Sequence, residues 1–492
     1  MSEPHIIESF NIENPPNIYN KRGSNFSTNI DSINDDVDSN DNIIFENEVS
    51  SIDLGIKSKS GVKKVYCGIR GDSEISGILN IVVSAIGGGC FSFPYIMYDG
   101  GIIVSLIIFL FVTLCIAYSV DLLRSFVVDT KYFSFALMTE TILGPQWLKL
   151  YAVSSFITYV CMEVSYLSSI YIYIQSIFDT KSVLFNIFYY LITMIIEIII
   201  CLYISKIAKM HLLSIISISC FILILISLIF ISIAANIKGE VDKKFTSKNL
   251  FFPYIKPNTA INRLLKISSY IMDYVYGYSY HSTFPTLLGN LHSVTHSITQ
   301  KVHLISFAII FGAYFLTSFF GFLMSNKVPT EIFKENDNNQ YFTGGWKYLI
   351  VPFKIVLCIY LLTLIPIRFI VLRDNYITLI GEKKMTFLRE LIIISIFIFI
   401  CNIFVFGVGM FEILTENDIN DMNIKSVIQA FGGMFGVIIC FCLPVVNYVS
   451  VNGKKKIKSI LGYTITFIFV IIGCFSTAFS IYRLIFGNKK DD

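Results

Sequence analysis

The run Asn80-Ile-Val-Val-Ser-Ala-Ile-Gly87-Gly88-Gly89-Cys-Phe-Ser-Phe-Pro94-Tyr95 is apolar like a membrane span, yet three consecutive glycines and a proline stand inside it. In a helix interior Gly costs about 1 kcal/mol and Pro about 3 kcal/mol relative to Ala. The reading is therefore a span that unwinds at mid-depth. Opened backbone survives in a bilayer only where protein or a water-lined cavity satisfies its polar groups. Such a place suits a ligand, because N–H groups at the start of a half-helix bind a carboxylate while freed carbonyls bind a cation or an ammonium. Glycines at this depth also let a neighbouring helix approach closely, and this stretch alone does not separate the two readings.

A second interruption, Tyr276-Gly277-Tyr278-Ser279-Tyr280-His281-Ser282-Thr283-Phe284-Pro285, lies about ten residues into the sixth apolar run. It occupies the matching place in a second group of five runs. Paired interruptions at corresponding positions of two halves point to a transporter's binding site at the interface of inverted repeats. A packing explanation would have to apply twice.

Around these two stretches the chain is built for lipid. Of its 492 residues 54% are hydrophobic and only 15% charged, outside the range of soluble globular domains. Apolar runs of about 20 residues, the length that crosses a hydrocarbon core, recur from Ser76 almost to the C-terminus. Eleven spans are predicted, starting near Ser76, Gly101, Lys149, Val183, Leu212, Ile267, Val302, Trp346, Phe387, Ile424 and Ile460. The fold class is all-α and polytopic. A net charge of +3, with no basic run interleaved with aromatics, argues against a nucleic-acid partner. All cysteines but Cys67 fall inside apolar runs, which disfavours a disulfide framework, and no metal-ligand spacing such as CxxC or HExxH occurs. The sequence names no protein partner.

Residues 1–70 read as a disordered cytoplasmic tail. Met1 to Ser50 hold ten Asn and ten Asp or Glu against two Lys or Arg, too little apolar surface to offset ordering entropy. The sign reverses at Lys57, Lys59, Lys63, Lys64 and Arg70, a basic juxtamembrane stretch that favours the cytoplasmic side and suits anionic lipid. The transmembrane domain is expected over 71–488, with a short tail at 489–492. Charge bias at Arg124, Lys131, Lys206, Lys209, Arg373 to Arg389 and Lys454 to Lys458 agrees with a cytoplasmic N-terminus. The basic segment from Lys238 to Lys266 dissents.

The stretch from Asn80 to Gly101 resembles the first helix of the amino acid/auxin permease family, with its Asn, Gly-rich bend and Pro-Tyr. Tyr278 to Asn290 is similar to that family's sixth helix. Leu364 to Arg373, with Ile365-Pro366-Ile367-Arg368, resembles the end of its eighth, and Gln429 to Tyr448, with Gly432-Gly433 and Leu443-Pro444, resembles its tenth. The resemblance implies a LeuT-like 5+5 inverted repeat plus one extra helix, moving amino acids by alternating access. It also implies a substrate site lined by Ile86, Gly87, Gly88, Gly89 and Cys90 and by Tyr278, Ser279, Tyr280 and His281, with Thr363 and Tyr360 of the eighth span as weaker members. Asn80 belongs to the same pattern as a coupling or gating residue. Sodium-coupled members carry a second Asn four residues before the first glycine, and here that position is Val83, which offers no hard oxygen to a cation. Proton coupling or uniport is the better expectation, with no organic cofactor.

Ionisable groups inside a membrane are costly and are functional candidates by default. Glu163 and Glu197 lie near the middle of the third and fourth spans. Each reads either as a proton carrier or as a neutral acid bonded to a neighbouring helix; Glu163, with Tyr159, Ser165 and Tyr166 close by, is the stronger carrier. Asp273, one turn before the second interruption, reads as a gate or as an interfacial cap. Four of six histidines, His281, His292, His296 and His303, fall in one short stretch. They suggest pH gating, although the last three read better as solvated surface. Two other readings stay open: a transporter of another small amine or drug-like base, and a non-transporting amino acid sensor. Plasma membrane and an acidic vacuolar or lysosome-like membrane both fit.

Overall fold

Ser73 opens the first helix, its Oγ accepting from the Ser76 N–H at 3.2 Å, with Glu74 in the first turn where negative charge suits the helix dipole. This helix, α1 (Glu74–Ala85), stops before the glycines as its sequence dictates. A single 3-10 turn, Gly88–Ser92, follows, and α2 (Phe93–Gly100) restarts with Pro94 in its first turn, where a missing N–H does no harm. The axes on either side of the break differ by 52°. Gly101, at φ +82°, makes the left-handed turn into α3.

In this computed structural model residues 73–178, 183–204, 210–237, 260–324, 347–381, 386–415, 421–453 and 457–486 are described. The expected N-terminal tail (1–70), its basic stretch, most of the dissenting loop (238–259) and the C-terminal tail (489–492) lie outside them. After α3 (Ile102–Thr130) come a short α4 (Phe135–Leu143), α5 (Pro145–Phe178), α6 (Val183–Ile204) and α7 (Met210–Ile237). The second half opens with another broken pass, α8 (Ala260–Gly277) and α9 (Phe284–Gly289), where a Phe-Pro pair again starts the second piece. Then follow α10 (His296–Leu323), α11 (Lys347–Ile380), α12 (Phe387–Thr415), α13 (Asp421–Val437), a π segment (Ile438–Cys442), α14 (Leu443–Asn452) and α15 (Ile457–Phe486).

The order of these segments follows the expected eleven passes, but length and composition support fewer. Among the described residues eight helices are long and apolar enough to cross a membrane, or nine with the bent pair Glu74–Gly100. The fourth predicted span is α6, 22 residues long, of which Ile187–Leu202 is the apolar stretch with described side chains. The sixth, α8, has 18 residues and carries Arg263, Lys266 and Asp273. The count of eleven is therefore not established.

Packing places the two broken passes at the centre. α1 lies on α7 and α10, the 3-10 turn touches α5, α8 and α10, and α5 packs along α11, α12 and α13. The last helix, α15, rests on α13 and α8 and turns Ile457, Ile460, Phe467 and Phe475 outward. Outward isoleucines and phenylalanines also cover α6, α7 and α12, a surface suited to lipid. Pro444 explains the π segment: it has no N–H for the Cys440 carbonyl four residues earlier, and the Ser119 hydroxyl of α3 donates to that carbonyl instead. The cysteines of the described residues are all free.

Candidate functional site

The two unwound stretches meet. A Cβ added to Gly89 would stand 3.3 Å from the Gly277 Cα, so the breaks touch backbone to backbone. Gly87 and Gly88 face α5 and α11: a Cβ on Gly87 would lie 2.6 Å from the Tyr166 hydroxyl and 3.4 Å from Arg368 Nη2. One on Gly88 would lie 2.8 Å from Leu361 Cδ2. Glycine is needed here because aromatic and guanidinium groups press against the main chain.

Unwinding frees carbonyls, and each freed carbonyl must find a donor. The Tyr314 hydroxyl of α10 lies within hydrogen-bond distance of the Ala85 and Gly277 carbonyls, one from each break, and its single proton serves one of them at a time. The Tyr360 hydroxyl of α11 donates to the Ile86 carbonyl. Arg368 Nη1 reaches the Ser279 carbonyl at 3.5 Å. Tyr276 of α8 places its ring at Gly89 and its hydroxyl 3.2 Å from Ser165 Oγ.

The residues expected from the sequence divide accordingly. Ile86, Gly87, Gly88, Gly89 and Cys90 form the first break, with the Cys90 N–H bonded back to the Gly87 carbonyl. Ser279 belongs to the second break, and its hydroxyl turns back to the Val275 carbonyl. The Tyr278 hydroxyl lies 3.0 Å from Thr113 of α3, and its ring packs edge-on against Tyr314. The Tyr280 ring lies against Phe284 and His281. His281 is fully buried, and among the described residues neither ring nitrogen has a hydrogen-bond partner. Thr363 sits behind Tyr360, accepting from Ser217 of α7 at 2.6 Å and donating to the Tyr360 carbonyl. Asn80 accepts from Ser214 at 2.8 Å and ties α1 to α7 below the break. Asp273 is half-buried on α8.

The two glutamates behave differently. Glu197 accepts from Asn402 Nδ2 of α12 at 3.0 Å, a carboxyl bonded to a neighbouring helix. Glu163 is fully buried, and among the described residues neither of its oxygens has a hydrogen-bond partner. Among the histidines, His292 and His296 are exposed as expected, but His303 is not. It lies inside α10, buried against Phe284 and Phe307, because the helix begins at His296 and carries it about two turns inward.

Tyr314 escaped the sequence reading altogether, and Arg368 entered it only as part of a motif. Tyr159, Glu163 and Tyr166 are spaced i, i+4, i+7, which puts them on one stripe of α5. That spacing was the available signal for a polar face aimed at the breaks.

Both ends of the site are tied. On the side of the α2 C-terminus, Asp99 pairs with Lys266 Nζ at 2.7 Å and accepts from the Tyr270 hydroxyl, joining α2 to α8. On the side of the α1 N-terminus, Lys301 pairs with Glu74 at 2.8 Å, and Lys131 donates to the Val294 carbonyl at 2.6 Å. The Asp99 tie is the less exposed one. Asp99→Ala removes a charge-assisted contact of about 1.5–3 kcal/mol and leaves Lys266 without its carboxylate. We expect maleimide labelling of Cys90, which is fully buried, to rise several-fold in that variant, read by mass spectrometry. Unchanged labelling would show that this tie does not close the site.

Two helices broken at contacting glycines, with freed carbonyls met by Tyr314, Tyr360 and Arg368 of neighbouring helices and by donors within the breaks, are the core of a LeuT-like fold. The chain belongs to the transmembrane amino acid transporter family, whose profile matches residues 70–486. Two solved structures of one transporter agree on the fold. The Eremococcus coleocola manganese transporter in complex with an aromatic bis-isothiourea substituted compound is 11% identical, with a TM-score of 0.57 over 85% of this chain and 88% of that one. A mutant of the same transporter reaches 0.59 over 88% and 93%, also at 11% identity. MhsT in complex with L-phenylalanine aligns at 16% identity with a TM-score of 0.48, over 85% of this chain and 100% of that one. No curated protein sequence matches this chain.

Proposed function

We propose that the protein is a secondary active transporter that carries amino acids across its membrane by alternating access, coupled to protons or running as a uniporter. The observation that carries this reading is the contact of the two breaks at Gly89 and Gly277, flanked by the Arg368 guanidinium. An amino acid needs both signs of charge met. Arg368 and the N–H groups around Gly87 suit its carboxylate, and the carbonyls of the two breaks suit its ammonium. The substrate site would comprise Ile86 to Cys90 and Tyr276 to Ser279, closed by Tyr166, Tyr314 and Tyr360. Asn80, Asp273 and Thr363 would act on it through the helices they tie or flank. Sodium is disfavoured, because the apolar and buried Val83 occupies the place of a ligating side chain. An acidic vacuolar or lysosome-like membrane suits proton coupling, and the plasma membrane remains the alternative.

Uptake into proteoliposomes tests this. With the twenty standard amino acids as competitors and imposed pH and sodium gradients, we expect competition by amino acids, a response to the pH gradient and indifference to sodium. If no amino acid competes, the substrate class is wrong. Accumulation driven by sodium alone would overturn the coupling expectation.

A further inference from the structure

Arg368 is among the largest fully buried side chains of the protein. Its guanidinium carbon stands 5.8 Å over the Tyr159 ring, its Nη2 and the Tyr166 hydroxyl both border Gly87, and it reaches the Ser279 carbonyl. Among the described residues no carboxylate lies in ion-pair contact with it. A buried cation served only by phenols and one carbonyl is incompletely compensated, and burial without a counter-charge is costly. On the α5 stripe between Tyr159 and Tyr166, both of which Arg368 approaches, Glu163 is buried, and among the described residues neither of its oxygens has a hydrogen-bond partner. A buried cation and a buried acid thus share one stripe of α5 beside the two breaks.

We propose that Arg368 is shared between two carboxylates, that of an amino acid in the site and that of Glu163, so that substrate is held only while Glu163 carries a proton. This rests on the amino acid reading above and deepens it. With substrate bound, Glu163 is the neutral acid, and the substrate's carboxylate takes the guanidinium beside Gly87. When the site opens to the side of lower proton activity, Glu163 passes its proton to water there and becomes a carboxylate. It then claims Arg368, and the amino acid, left without its counter-charge, departs. One O–H bond breaks, and one proton accompanies each amino acid. The substrate class narrows to molecules with a free carboxylate, which excludes simple amines.

The groups facing Glu163 leave Arg368 as its cation. From α6 come Glu197, already bonded to Asn402 of α12, and Cys201. From α12 comes Cys401. On α5 itself stand Tyr159, Cys161 and Tyr166; α8 meets that face through Tyr276 at Ser165, α13 through Gly432 at Cys161, α4 through Phe135 at Tyr151, and the π segment through Cys440 near Tyr159. Apart from Arg368, these groups supply no positive charge.

The test uses the full-length protein in proteoliposomes, probed with the twenty standard amino acids and their α-carboxamides. For the wild type we expect amino acids to compete, amides to bind at least about tenfold more weakly, and amino acid binding to weaken as pH rises. Glu163→Gln should bind with affinity independent of pH and exchange amino acids, but it should lose accumulation driven by a proton gradient. Arg368→Gln should bind about 10- to 100-fold more weakly, and Arg368→Lys should recover part of that loss. Amides competing as well as acids, or proton-driven accumulation by Glu163→Gln at the wild-type level, would overturn the proposal while leaving amino acid transport intact. If no amino acid competes in the wild type, the transport reading itself fails. Should a variant not fold, as judged by size-exclusion chromatography, the amide comparison and the wild-type flux ratio still decide. A ratio near one proton per amino acid is expected, and a ratio of zero overturns the proposal.

Discussion

Gly89→Val is expected to reduce uptake to background. The side chain would enter a contact between two main chains, its Cβ 3.3 Å from the Gly277 Cα and its methyl groups closer still. Neither side has a flexible tip that can swing away. Overpacking of a close-packed site costs about 1–3 kcal/mol, and here the strain falls on the two stretches that must move. Thermal unfolding followed by size-exclusion fluorescence should therefore show a modest loss of stability beside a nearly complete loss of transport. Gly312→Ala is the control, because a Cβ there meets nothing within 4 Å. Wild-type uptake by Gly89→Val would mean that the breaks are not in working contact.

Tyr314→Phe should cost more stability than the removal of one oxygen suggests. The ring would keep its edge-on contacts with Phe93 and Tyr278, so packing is preserved. What disappears is the donor for the Ala85 and Gly277 carbonyls. A buried polar group left unsatisfied costs about 1–3 kcal/mol, and since one proton serves one carbonyl at a time the expected loss is about 1–3 kcal/mol. Thermal unfolding and initial uptake rates, measured on the same preparation, should both fall. If stability is unchanged, another donor serves these carbonyls and the bridge is not structural.

The sequence exposed the breaks because glycine and proline act locally. Gly87 to Gly89, Pro94, Gly277 and Pro285 weaken a helix wherever they stand, and the two interruptions can be matched without coordinates. The helix starts were equally readable: Phe387 begins α12 at its predicted position, and most others agree within a few residues. The partners of the freed carbonyls were harder to see. Tyr314 lies 37 residues from Gly277 and 229 from Ala85, and nothing in its own helix marks it among the aromatics of the chain. Arg368 could be seen as a charge in an apolar run, but its approach to Gly87 depends on how α11 crosses α1. His303 was misplaced for a different reason, since the predicted seventh span started near Val302 while the helix starts at His296. The short α4 was not anticipated either.

The bulge at Ile438–Cys442 divides one membrane pass into α13, which lies with α5, α8 and α15, and α14, which lies with α3, α4 and α15. At the bulge the Ser119 hydroxyl of α3 donates to the Cys440 carbonyl, while the Leu443 N–H still bonds the Ile438 carbonyl along the pass. α3 thus grips this pass at its bend, and a shift of either would be felt by the other.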